Sequence, residues 1–368
     1  MQDDNKKKEH RHVDSLFRYA ELLGFGEFHV KIDHETGLHA IIAIHNLNRG
    51  PAIGGCRFIH YDHTDQALVD ALRLAQMMSY KAAICHLPHG GAKAVIMKPK
   101  VIKDREALFA SFGDFVQEQN GRYITAVDAG TEPNDMDTIS QRTRYVTCTT
   151  FGGYAGDPAP HTALGVRRGI EAAVKFKLGR DSLQGVHIAI QGAGHVGFYL
   201  AKELKKLGAK ITISDKNKDA IANIVNEFGS EVINIVDCEQ IYEVPCDVFS
   251  PCALGGTLNL HNINQLKTNI VVGSANNQLD HHQHDTILHQ RDILYVPDFV
   301  INSGGLIHAA AIYDHGDEDK ANAQIYNLYD TIMNLFQRAK SENRPTNEVA
   351  EAIALENMGQ KSKDKVAA

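Results

Sequence analysis

The chain is 368 residues long, 43% hydrophobic and 23% charged, with a formal net charge of −7. That length exceeds a single usual core, so two domains of ordinary globular composition are expected. The acidic balance provides no basic field for nucleic acid, and no uninterrupted apolar run approaches the length of a membrane span.

The opening segment MQDDNKKKEHRH is dense in charge and has no apolar stretch of the signal-peptide kind, so a solvated tail is expected there. Residues 39–45 (HAIIAIH) predict a strand. Over 64–81, Leu68, Leu72, Ala75 and Met78 recur three or four apart, the spacing of an amphipathic helix that ends on Lys81. A glycine-containing loop, HGGAK, is expected at 89–93, followed by a strand over 94–97. A helix over 104–118 comes next, then a strand over 123–127 that ends on Asp128. Glycine and proline concentrate at 151–160 (FGGYAGDPAP), which predicts a connecting loop before a helix over 162–175.

The most informative stretch follows. Val186, Ile188 and Ile190 predict a buried strand, and Gly192-Ala193-Gly194-His195-Val196-Gly197 comes immediately after. Phe198, Tyr199, Leu200, Leu204 and Leu207 recur at helical spacing before Gly208, and a second strand over 211–214 ends on Asp215. In this strand–turn–helix–strand frame Gly192 permits a tight turn, Gly194 lets backbone approach a pyrophosphate, and Gly197 lets helix pack closely on strand. The helix N-terminus offers N–H groups and positive polarity to the phosphates. Asp215 would accept hydrogen bonds from a ribose diol and repel a 2′-phosphate, which favours NAD over NADP; Lys216 beside it would tolerate the phosphate. Further strands are predicted over 247–252, 269–274 and 293–297, with small or polar endings placed to line a cofactor cleft. From about 319 the chain reads as charged helix.

Six cysteines without C-x-x-C spacing read as free thiols in a reducing cytoplasm. The cluster HHQH at 281–284 reads as a solvated helix start, and no metal site is expected. Lys81 and Lys93 lie among small residues and glycine. Enclosure there would disfavour the charged form, leaving one lysine to hold a carboxylate and the other to act as a base, with Asp128 as proton partner. On the residues alone, a surface lysine and a capping aspartate explain this triple equally well.

Eight segments shift that balance: HAIIAIHNLNRGPAIGGCR (39–57), DALRLAQMMSYKAA (70–83), LPHGGAKAVI (87–96), GRYITAVDAGT (121–131), QGAGHVG (191–197), SPCALGGTLN (250–259), VGSANNQL (272–279) and YVPDFVINSGGLI (295–307). In this order they resemble the amino-acid dehydrogenases of the Glu/Leu/Phe/Val superfamily, most closely the leucine-dehydrogenase branch. The resemblance implies an α/β fold of two domains with a cleft between them. One is a substrate and oligomerisation domain over 1–148, completed by C-terminal helices over about 331–368; the other is a Rossmann-type NAD domain over 149–330. It implies Lys93 as catalytic base, Asp128 as its partner in proton transfer and Lys81 as the anchor of the substrate carboxylate. Asn276 is implied near substrate and nicotinamide, Thr162 near the nicotinamide carboxamide, and Ala253 against the cofactor. The substrate side chain would meet Ile53, Gly54, Ala126, Leu306 and Ala309. Departures from the pattern are Ala92 for a third glycine, Val127 where leucine enzymes carry glutamate, Ile53 for leucine and Leu306 for valine.

The expected activity is NAD-dependent oxidative deamination of leucine, isoleucine and valine to 2-oxo acids and ammonium. The resemblance implies a homo-oligomer, an octamer, with small molecules as its other partners, and a cytoplasmic enzyme is expected. The alternatives are an aromatic amino-acid dehydrogenase, for phenylalanine or tryptophan, and a non-catalytic NAD-binding sensor or assembly protein on the same fold.

Overall fold

The computed structural model describes residues 27–151, 157–229 and 233–359. The charged opening segment, residues 152–156 of the glycine-rich stretch and the C-terminal KSKDKVAA lie outside the described residues. The described chain divides into two compact units, 27–151 with 357–359, and 157–229 with 233–356.

The first unit runs β1 (Glu27–Asp33), β2 (Leu38–Asn46), β3 (Ala52–Ile59), α1 (Thr64–Ile84), β4 (Gly90–Met97), α2 (Arg105–Glu118), β5 (Tyr123–Val127) and α3 (Pro133–Ser140). Its five-stranded sheet has the order β1-β2-β4-β3-β5, antiparallel from β1 to β4 and parallel from β4 to β5. Strand alternation divides the apolar residues between two faces. Leu38, Ala40, Ile42 and Ile44 pack with Phe109 and Phe112 of α2 and with Met136 and Ile139 of α3. Ile41, Ala43 and Val95 pack on the opposite face with Ala67, Ala71, Leu72 and Ala75 of α1.

The HGGAK segment is not a loop. Gly90 begins β4, and Lys93 lies inside the strand opposite Ala43. A methyl group on Gly90 or Gly91 would run into the Asn46 carbonyl or the Ser79 backbone, so the strand fits there only without side chains.

The second unit runs α4 (Ala159–Leu178), β6 (His187–Gln191), α5 (His195–Lys206), β7 (Lys210–Ser214), α6 (Lys218–Phe228), β8 (Ile233–Ile235), a 3-10 turn (Gln240–Glu243), β9 (Val248–Pro251), α7 (Leu260–Gln265), β10 (Ile270–Val271), α8 (Gln283–Gln290) and β11 (Leu294–Tyr295). It continues through α9 (Asp298–Ile301), α10 (Gly304–His315), α11 (Glu318–Tyr326), α12 (Leu328–Glu342) and α13 (Thr346–Asn357). Six parallel strands take the order β11-β10-β9-β6-β7-β8. Counted from β6, this is the doubly wound order whose direction reverses between β6 and β9.

The C-terminal helices differ from expectation. Residues 328–356 pack in the second unit, only 357–359 join the first, and the division falls near 156 rather than 148. Burial explains the allegiance of α12: Leu328, Ile332, Leu335 and Phe336 are its buried face, and Phe336 meets Phe176 of α4 with ring centroids 5.1 Å apart. Polar bonds explain the last residues. Asn357 Nδ2 donates to the Ala83 carbonyl at 3.1 Å, and Asn48 Nδ2 donates to the Met358 carbonyl at 2.9 Å.

Candidate active site

In the first unit, alternation places the expected residues on one face of the sheet. Lys93 faces the same side as its partner Ala43, towards α1. Ala52, Cys56 and Phe58 belong to the opposite core, so Ile53 and Arg57 of β3 share the face of Lys93. Tyr123 likewise turns away, which leaves Ala126 on the α1 side, with Asp128 just past the strand end.

Lys93 is only 6% exposed, and its ammonium is in contact with the Asp128 carboxylate. Arg57 links this pair to α1: Nη1 donates to Asp70 Oδ2 at 2.8 Å, and Nη2 stands 3.9 Å from Asp128 Oδ1. The Tyr61 hydroxyl donates to the same Asp70 oxygen at 2.6 Å. Asp128 is held from its own turn as well. Its Oδ1 accepts the Ala129 N–H at 2.6 Å, and the Thr131 hydroxyl accepts the Asp128 N–H at 2.8 Å.

Burial lowers the Lys93 ammonium to about 7, helped by the positive charges of Arg57 and Lys81. The Asp128 contact pulls the other way, but Arg57 shares that carboxylate's charge, and the lowering prevails. A lysine that titrates near neutrality can take and return a proton during turnover. Lys81 lies half-buried in the last turn of α1, close enough for its charge to act on Lys93. Burial pushes the Cys56 thiol up to about 12, so it stays protonated. Ile53 is fully buried, Gly54 stands opposite Thr125 in the ladder, and Ala126 is nearly buried.

In the second unit the expected residues collect at the carboxyl ends of the parallel strands. Gly192, Ala193 and Gly194 form the turn from β6 to α5, and His195, Val196 and Gly197 are the first residues of the helix. No side chain caps this helix, and the space over Gly194 is open. Gly192 has φ +108° and abuts Ala253 after β9, across the point where the strand order reverses. Asp215 follows β7: Oδ2 accepts the Ala193 N–H at 2.6 Å and Oδ1 the Asn217 N–H at 2.7 Å. Each oxygen keeps a lone pair for a ligand hydroxyl. Uncapped N–H groups, an open glycine and a carboxylate tied to the same turn fit a dinucleotide's pyrophosphate and ribose.

Asn276 is exposed after β10, and its Oδ1 accepts from Asn302 Nδ2 at 2.6 Å. The Thr162 hydroxyl donates to the Pro158 carbonyl at 3.0 Å, next to Gly305 of α10. On α10, Leu306 is half-buried and Ala309 buried.

Arg57, Asp70 and Asn302 were not singled out by sequence. Arg57 closes the GGCR run, and its partnership with Lys93 depends on the register of β3 against its neighbours. Asn302 follows the short helix α9, inside the DFVINSGG segment, where an amide just ahead of two glycines was the available signal.

A buried lysine beside a carboxylate in one unit and a doubly wound parallel sheet in the other fit a dehydrogenase. Comparison with known proteins makes the class specific. The model of the "Glu/Leu/Phe/Val dehydrogenase, dimerisation domain" matches residues 25–145, and that of the "Glutamate/Leucine/Phenylalanine/Valine dehydrogenase" matches 152–223 and 213–365. The chain is 45% identical to the leucine dehydrogenase of Geobacillus stearothermophilus over 93% of its own length and 92% of that protein's. It is 41% identical to the phenylalanine dehydrogenase of Thermoactinomyces intermedius over 88% of each chain. The crystal structure of L-tryptophan dehydrogenase from Nostoc punctiforme superposes with a TM-score of 0.81 at 38% identity, covering 93% of this chain and 98% of that one. The chain belongs to the Glu/Leu/Phe/Val dehydrogenase family and is an amino-acid dehydrogenase, an oxidoreductase acting on the CH–NH2 group.

Proposed function

We propose that the protein oxidatively deaminates branched-chain L-amino acids, leucine with isoleucine and valine, using NAD. The observation that carries this reading is the buried Lys93–Asp128 contact on the sheet face that also holds Ile53 and Ala126.

Lys81 anchors the substrate carboxylate by charge, which aligns Cα for oxidation. A nicotinamide dinucleotide, held by residues 192–197, Asp215, Ala253, Asn276 and Thr162, supplies the acceptor for the hydride leaving Cα. Lys93, neutral above its lowered pKa, then takes a proton from the water that attacks the imino carbon. Asp128 relays that proton towards the amino group, and the carbinolamine collapses to the 2-oxo acid and ammonium.

Side-chain preference rests on Ile53, Gly54 and Ala126 in the first unit and Leu306 and Ala309 in the second. None carries a charge, and a glutamate γ-carboxylate would need a buried cation. Asp215 supports NAD over NADP, because its charge opposes a 2′-phosphate.

The first unit is assigned the substrate and oligomer roles and the second the cofactor role. β1 is an edge strand with Val30 58% and Ile32 53% exposed, an apolar edge suited to a second copy of the chain. A homo-oligomer, an octamer on the family resemblance, follows from this reading, and light scattering of the purified protein measures it. Among the described residues no helix is long and apolar enough to cross a membrane, and all six cysteines are free thiols, which supports a cytoplasmic enzyme.

The test is a panel of the proteinogenic amino acids with NAD and NADP, read by the absorbance of reduced nicotinamide. Leucine, isoleucine and valine should lead, with NAD. A preference for phenylalanine or tryptophan would replace the branched-chain reading, and NAD binding without turnover on any amino acid would mark a non-catalytic member.

A further inference from the structure

A second cluster of chemically competent side chains lies in the second unit and has no part in the deamination. His161 sits in the first turn of α4, His308 in the middle of α10, and Glu318 at the start of α11. The fold brings them together for local reasons. Gly304 and Gly305 let α10 cross the start of α4 at close range: a methyl on Gly304 would strike the His161 carbonyl, and one on Gly305 would stand 3.1 Å from Thr162 Oγ1. One turn further on, the His308 ring lies on the His161 ring, centroids 3.6 Å apart and 15° from parallel. Gly316, in the left-handed region at φ +60°, then ends α10, and Glu318 returns to both rings. Its Oε2 is 2.8 Å from His308 Nε2, and its Oε1 is 3.6 Å from His161 Nε2.

We infer that His161, His308 and Glu318 form a binding site for a divalent transition-metal ion of the zinc class. Two imidazoles and one carboxylate are the donor set of zinc sites that keep a fourth position for water. Each residue offers one donor atom, and the three atoms lie within 4.8 Å of one another. Ligands about 2.0–2.1 Å from a zinc ion stand ~3.3 Å apart in a tetrahedron. Each imidazole lone pair lies in its own ring plane, so closing on one ion asks the two side chains to rotate out of their stack as the donor atoms move by about 1 Å.

The surroundings favour the metal-ready state. Asn322, one helical turn after Glu318, hydrogen-bonds the His161 ring, the outer contact that fixes a ligand imidazole's orientation. Among the described residues this is the one group of three such side chains with converging donor atoms; the exposed run at 281–284 does not form one. An ion here would pin α4, α10 and α11 together within a few residues of Thr162, Leu306 and Ala309.

The experiment uses the full-length protein, stripped with a chelator and titrated with Co2+ by visible absorption and with Zn2+ by calorimetry. One equivalent per chain should bind, and Zn2+ should raise the melting temperature. His308→Ala and Glu318→Gln should each weaken binding by at least ~10-fold and abolish the thermal shift while NAD binding is kept. Glu318 has a 42% exposed side chain, so Glu318→Gln carries the test alone if His308→Ala does not fold. Failure of the wild-type protein to bind either ion would overturn the site. Binding that survives Glu318→Gln but disappears in a His281→Ala/His284→Ala variant would assign the ion to the exposed cluster instead.

Discussion

On the proposed function the reactive groups of the first unit are side chains buried on a sheet face, whereas the binding groups of the second are backbone N–H groups and a carboxylate at strand ends. The costs differ accordingly. Enclosing Lys93 removes a cation from water, and the strain of that desolvation is what moves its proton affinity towards neutrality. The N–H groups at the start of α5 lack helical partners in any case, so offering them to a phosphate requires no comparable burial of charge. Substitutions at Lys93 and the groups around it should therefore act on rate and pH dependence, and those in the second unit on affinity and choice of ligand.

The largest expected effect tests the first half of that contrast. Lys93→Ala should lose ~10²–10⁴-fold in kcat, the usual scale for a general acid–base group, with binding of the reduced dinucleotide retained. Fluorescence titration beside steady-state kinetics measures both, and a kcat within about tenfold of wild type would remove Lys93 as the base. Lys81→Ala should raise KM for the amino acid by ~10–100-fold, the loss of a charge-assisted bond, with a smaller fall in kcat. An unchanged KM would sink the anchor role.

The second unit should respond in selectivity. Leu306→Ala should raise phenylalanine activity relative to leucine by ~10-fold or more in kcat/KM, the scale of a small volume change in an apolar pocket. A ratio that does not move would place Leu306 away from the substrate. Asp215→Asn keeps an acceptor for the Ala193 or Asn217 N–H but removes the charge, so the preference for NAD over NADP should shrink several-fold. Asp215 would be excluded as the discriminator if the cofactor ratio were unaffected.

The smallest effect is a displacement along the pH axis. Neutral lysine is the base, so kcat should rise as pH increases through about 7. Arg57 lowers the Lys93 pKa by its charge, so Arg57→Gln should raise that pKa and move the rising limb to higher pH. A limb that stays in place would show that the Arg57 charge does not set it.

Local pattern made much of this legible. The β6–α5–β7 unit could be read because its glycine spacing, helical periodicity and terminal acid all describe one contiguous stretch. The sequence signals a loop at 89–93, where the structure has the start of β4. Glycines signal a loop unless the crowding backbone of Asn46 and Ser79 is known, and those neighbours come from other elements. β1 alternates strictly between polar and apolar residues, a legible strand signal, whereas the three-residue β8 is too short to carry one. The links of Arg57 to Asp70 and Asp128, and of His161 to His308, join distant segments whose meeting depends on register and helix crossing. The allegiance of α12 was hidden for the same reason, because its apolar face fits any core until Phe176 is placed.

On the proposed function, placing Lys93 in the interior of β4 has a consequence for how such an enzyme can change over evolutionary time. A residue laddered between β2 and β3 cannot be shifted by an insertion or deletion in a nearby loop, as a loop-borne base would be. Its partner Asp128 is tied by its own turn to the next strand but one. Leu306, proposed to meet the substrate side chain, is carried on a helix of the other unit, where a change of its size leaves the ladder around Lys93 untouched. On those roles the architecture separates change of substrate range from preservation of the reaction.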